Sequence, residues 1–154
     1  MQKLTILNTR EVKKIRKVVE AQFGCFLRKD YAYLMNAKNK LFVVNKDLAR
    51  IDIDRLRIDR IGLYFAEVKE NHVRLSKEGA ALLVRECEEV TNIVSLSKDE
   101  VLTYFTGENL TKDLGSEKKL IILEYDGNTL GCAQYKEGII LNFLPKMHRG
   151  TVIV

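Results

Sequence analysis

The sequence has no tryptophan and a single proline, Pro145. Its two histidines, His72 and His148, lie far apart and form no H-x-x-x-H pair, which argues against a histidine-built zinc site. Three cysteines, Cys25, Cys87 and Cys132, are widely spaced and odd in number. They show neither a C-x-x-C spacing nor a disulfide framework, so no metal and no disulfide are expected, and a reducing cytoplasm is inferred. No apolar run approaches the roughly 20 residues that span a bilayer, so no membrane partner is expected. The N-terminus has no apolar core followed by small residues, which argues against secretion.

Phosphate-binding glycine loops are missing as well. Neither G-x-x-x-x-G-K-[ST] nor a strand-linked G-x-G-x-x-G occurs, so no nucleotide cofactor is expected. Nothing in the sequence marks a base beside any cysteine, and carboxylate pairs such as Asp52 and Asp54 arise commonly by chance. The chemistry-bearing patterns therefore point away from catalysis, with no catalytic residue, metal or cofactor expected.

What is present is charge, unevenly placed. The 154 residues carry a net charge of +5. Residues 1–88 hold 19 Lys and Arg against 12 Asp and Glu, and residues 89–154 hold 7 against 9. A basic surplus confined to one half is the footprint of a polyanion partner or of a solvated surface. The abundance of Lys, Glu and Ile resembles a heat-adapted composition.

Along the chain, residues 3–7 read as an extended entry. A helix follows from about Arg10 to Phe23, capped by Asn8 or Thr9 and stopped by Gly24. Val12, Ile15, Val19 and Phe23 share its core face, and Lys13, Lys14, Arg16 and Lys17 lie mostly opposite, solvated or facing RNA. Strands are expected at 31–35 and 41–45, then a short helix or 3₁₀ turn at 46–51. The alternating segment 51–62 fits a strand or a helix, and its arginines have carboxylates beside them for pairing. Strands at 62–68 and 72–75 lead to a helix capped by Ser76, in which Gly79 allows close packing. The acidic Glu86, Glu88 and Glu89 mark the expected boundary between domains 1–88 and 89–154.

The second half opens with a strand at 90–96 and a capping box, Ser97 to Glu100. The loop 107–115 carries Leu110 and Leu114, which either anchor it to a core or face a ligand. A strand at 118–125 then turns at Asp126-Gly127, a primed-turn signal. Gly131 marks a bulge or a close backbone approach in the next strand. Residues 139–144 form another strand, Pro145 ends it, and Lys146, His148 and Arg149 make a basic lip. A final strand at 151–154 closes the sheet. Many short strands with few helices give an α+β protein with a small C-terminal β-barrel.

On these residues the second half resembles a PUA domain, the pseudo-barrel RNA-binding module. The resemblance rests on VTNIVSLSKDEVLTYFTGENL, on LIILEYDGNTLGCAQYKEG and on NFLPKMHRGTVIV. The first half resembles the pre-PUA domain through LFVVNKDLARI, RIGLYFAEV and HVRLSKEGAALL. This order is similar to the Nip family of ribosome-biogenesis factors and to the RNA-binding region of Nop/Sun-type RNA cytosine methyltransferases, whose Rossmann domain and Pro-Cys motif are absent from this sequence. The resemblance implies RNA binding without catalysis in the cytoplasm, on ribosomal or transfer RNA, in ribosome biogenesis or RNA modification, and no DNA partner. It places the RNA-facing surface at Gly107, Glu108, Asn109 and Leu110 and at Lys146, His148 and Arg149. The helix cations Lys13, Lys14 and Lys17 are a further candidate surface. The other reading is a protein-interaction adaptor for an assembly factor or an RNA methyltransferase. One departure from the PUA pattern is the acidic balance of this half.

Overall fold

Asn8 starts the first helix, α1 (Thr9–Phe23), with a full capping box. Its Oδ1 accepts from the Glu11 N–H at 2.9 Å, and Glu11 Oε1 accepts from the Asn8 N–H at 3.1 Å. Ile15, Val19 and Phe23 recur at one-turn intervals and are buried. Gly24 ends the helix at φ 85°, in the left-handed region, and donates its N–H to Glu20 O. The computed structural model describes residues 4–46 and 62–143, in two compact units, Met1–Thr91 and Asn92–Val154. The turn expected beyond Lys46 and the ambiguous segment 51–62 lie largely outside the described residues. So do the basic lip and the closing strand 151–154.

In the first unit, five strands form a sheet whose spatial order is its chain order: β1 (Leu4–Ile6), β2 (Tyr31–Asn36), β3 (Lys40–Asn45), β4 (Leu63–Val68) and β5 (Val73–Leu75). Every neighbouring pair is antiparallel. The β2–β3 turn is built by Asn36, a buried polar residue whose Oδ1 accepts from the Lys38 and Lys40 amides. Phe26, just past α1, stacks on Tyr33 and meets Phe65 edge-on, joining helix end to sheet. Gln22 of α1 uses its carboxamide as a strand would, donating to Val73 O at 2.8 Å and accepting from Val73 N–H at 2.9 Å. That contact satisfies backbone groups of β5, which is an edge strand among the described residues. Ser76 caps α2 (Lys77–Glu86) as expected, accepting from the Gly79 N–H.

One expectation is overturned here. Cys25 and Cys87 form a disulfide across 62 residues of sequence, and Cys132 is a buried thiol outside it. Cys25 follows the stop of α1 and Cys87 caps the end of α2. The fold brings together two helix ends that no sequence spacing connects. With a disulfide present, cysteine usage no longer argues for a reducing compartment.

The second unit has β6 (Ile93–Ser95), α3 (Lys98–Phe105), β7 (Leu110–Thr111), β8 (Lys119–Tyr125), β9 (Asn128–Lys136) and β10 (Ile139–Leu141). Its sheet runs β6-β8-β9-β10-β7, with β6 parallel to β8 and the other neighbours antiparallel. Asp126 and Gly127, then Glu137 and Gly138, all have positive φ, so both hairpins turn on two residues of the primed type. The described strands curl into a half-barrel. Val101 and Tyr104 of α3 pack against Ile121, Leu123, Ala133, Tyr135 and Ile140 inside the curl. The register slips by one residue where Leu123 faces Gly131 and Glu124 faces Thr129, so β9 is bulged at Leu130. A Cβ on Gly131 would meet no atom within 4 Å. Its φ of 142°, and not a close approach, is what calls for glycine.

The longest described helix, α1, has 15 residues, and no described helix is long and apolar enough to cross a membrane.

Candidate nucleic-acid interface

The loop after α3 is the best-defined part of the candidate surface. Ser97 and Glu100 cap α3 reciprocally, and Gly107, at φ 96°, turns the chain away from its end while donating to Tyr104 O. Glu108 and Asn109 then stand exposed. Asn142, just after β10, holds this loop from the other side. Its Nδ2 donates to Tyr104 O at 2.6 Å and to Glu108 O at 2.9 Å, and its own N–H donates to Asn109 Oδ1 at 2.9 Å. One side chain thereby ties the helix end and the loop to the last described strand.

Tyr135 does the same for the far end of the loop. Its hydroxyl donates to Gly115 O at 2.7 Å and accepts from the Leu114 N–H at 2.9 Å and the Gly138 N–H at 3.2 Å. Asp113 Oδ1 takes the Gly115 N–H at 3.0 Å. Lys112 is not a free cation, because it pairs with Glu100 at 3.2 Å. Burial would raise the Glu100 carboxyl, but the Ser97 amide and the Lys112 ammonium outweigh it and hold the group below its ordinary value.

The structure separates the sequence candidates. Gly107, Glu108 and Asn109 share one anchored loop. Leu110 does not join them at the surface: its side chain is 5% exposed and packs in the core, and its backbone pairs with Ile140. Leu114 packs against the same core. Lys146, His148 and Arg149 lie outside the described residues. Sequence reasoning missed Asn142 and Tyr135. The signal for Asn142 was there, as the one polar residue inside the apolar run Ile139-Ile140-Leu141-Asn142-Phe143-Leu144.

The first unit presents the helix cations. Arg10, Lys13, Lys14 and Lys17 recur at i, i+3, i+4 and i+7, all exposed, on the side of α1 away from Ile15 and Val19. Arg16 lies off this stripe, with its guanidinium 5.0 Å from the centre of the buried Phe26 ring.

Among the described residues, one group combines potential metal ligands: Cys25, Cys87 and Glu89, with ligand atoms within 4.8 Å of one another. Its sulfurs are bonded to each other, and the Glu89 carboxylate is paired with Arg28. The trio is therefore already engaged.

Residues 91–149 match the family model described as the PUA domain of the methyltransferase RsmF. The match takes in β6 through β10 and the anchored loop, and it includes nothing before residue 91. A comparison with curated proteins found no match.

Proposed function

We propose that the protein binds RNA without catalysing a reaction on it, through a PUA-like C-terminal unit. The match of residues 91–149 to the PUA domain of an RNA methyltransferase carries this reading. The anchored loop supports it. A rigid loop pays less ordering entropy on binding, and Gly107 with the Asn109 carboxamide offers a surface that unpaired bases can approach and hydrogen-bond. In this reading the first unit is a pre-PUA-like domain, the ligand is ribosomal or transfer RNA, and the setting is cytoplasmic ribosome biogenesis or RNA modification. A disulfide is compatible with that setting in a heat-adapted protein.

Crosslinking to total cellular RNA, followed by sequencing of the bound fragments, tests the reading. Enrichment of structured ribosomal or transfer RNA supports it. Failure to retain any RNA at low salt sinks it. The acidic balance of residues 92–154, seven Lys and Arg against eight Asp and Glu, favours one competing reading. In it the unit is an adaptor that docks an assembly factor or a methyltransferase. Protein crosslinks without RNA would select that alternative.

A further inference from the structure

An RNA ligand needs cations to meet its phosphates, and the C-terminal unit has a net charge of −1. The surplus is in the first unit, which carries 19 Lys and Arg against 13 Asp and Glu. Within it, the α1 stripe sets four exposed cations along one helix face. Arg10 and Lys14, and Lys13 and Lys17, are like-charged pairs at i, i+4, a spacing that destabilises an isolated helix. The neighbouring carboxylates do not relieve this. Glu11 is turned to cap the Asn8 N–H, and among the described residues none of the four cations has an ion-pair partner. Four exposed, unpaired cations within about 10 Å of helix are a fixed anion-tracking surface rather than a salt-bridged one.

We infer that Arg10, Lys13, Lys14 and Lys17 form a second RNA-contacting surface, which tracks the phosphate backbone and supplies the electrostatic affinity that the C-terminal loop lacks. This rests on the RNA reading above. A division of labour follows from the chemistry. Ammonium and guanidinium groups on phosphates carry no sequence information, whereas the 107–109 loop reads bases.

The test is the salt dependence of RNA affinity for the full chain, wild type against K13Q/K14Q/K17Q. Glutamine keeps helix propensity near that of lysine, and loss of the like-charge pairs leaves the melting temperature unchanged or slightly raised. Each phosphate contact contributes about 0.7 to the log–log slope on single strands, so the triple variant is expected to lose about two units of slope and at least tenfold in affinity at low salt. Wild-type binding with an unchanged slope in the variant overturns the stripe and leaves the RNA reading standing. Absence of wild-type RNA binding at low salt overturns both.

Discussion

Gly79 of α2 lies directly against the backbone of Phe65 in β4. A Cβ at this position would fall 1.9 Å from the Phe65 carbonyl oxygen and 2.8 Å from its carbonyl carbon. That oxygen already accepts from the Ser76 N–H, and the Ser76 hydroxyl donates to Tyr64 O, so the cap of α2 is bonded to the strand it crosses. Neither side can retreat without breaking these bonds. Gly79→Ala would gain about 1 kcal/mol of helix propensity. The overpacking, met by backbone and not by a flexible side chain, is expected to cost more, for a net loss of about 2–3 kcal/mol. A lower denaturation midpoint with an unchanged slope would bear this out, and a stabilised variant would refute it.

The Tyr135 hydroxyl serves three backbone groups at once, as donor to Gly115 and acceptor from Leu114 and Gly138. Tyr135→Phe keeps the buried ring and removes all three bonds. Three backbone groups then lose their partner, at a combined cost of about 2–3 kcal/mol. Hydrogen exchange locates the effect. The Leu114 and Gly138 amides should exchange much faster, whereas the central β8 amides should slow or quicken only with global stability. Uniform acceleration throughout the unit would mean that the hydroxyl holds no particular loop.

Much of this architecture was legible because it is locally encoded. The Asn8 and Ser97 caps, the Gly24 stop, the Asp126-Gly127 turn and the bulge beside Gly131 each follow from residue chemistry within a few positions. Three features were not legible. The Cys25–Cys87 bond joins positions that only the packed helices bring together. The strand β7 is two residues long, too short for alternation to register, so Leu110 could not be assigned to the core from its sequence. Asn142 and Tyr135 act on backbone atoms up to 38 residues away in the chain, and side-chain identity does not disclose such partners. The candidate loop was visible in the sequence, but not what holds it.

The disulfide closes a stretch 62 residues long. Loop-closure entropy removed from the unfolded chain predicts about 4 kcal/mol of stabilisation for a loop of that size. Reduction, or the Cys25→Ser/Cys87→Ser double variant, is expected to destabilise the first unit by a comparable free energy, read as a lower melting temperature. Thiol titration of the unreduced, denatured protein should find one reactive cysteine, Cys132. Three reactive thiols, or a melting temperature indifferent to reductant, would contradict a contribution from this bond.

Tyr31 and Tyr33 make stability sensitive to high pH. Burial, reinforced by a hydrogen bond to the Glu86 carboxylate and by its charge, raises the Tyr31 phenol from 10.0 to about 12, although Arg85 pulls the other way. Burial also raises Tyr33, which is 5% exposed, against the opposing charge of Arg16. Both shifts mean that the folded protein keeps phenolic protons that the unfolded chain gives up near pH 10. Their contribution is therefore fully present below pH 10 and declines as pH rises from 10 through about 12, because there the unfolded state binds fewer protons. Stability measured by urea midpoint should be insensitive to these groups up to about pH 9 and then fall. Tyr31→Phe should make that alkaline decline shallower, and the ultraviolet titration of the native protein should lose part of its late-ionising phenolate signal. An alkaline limb identical to wild type would show that Tyr31 ionises as freely in the folded protein as in the unfolded chain.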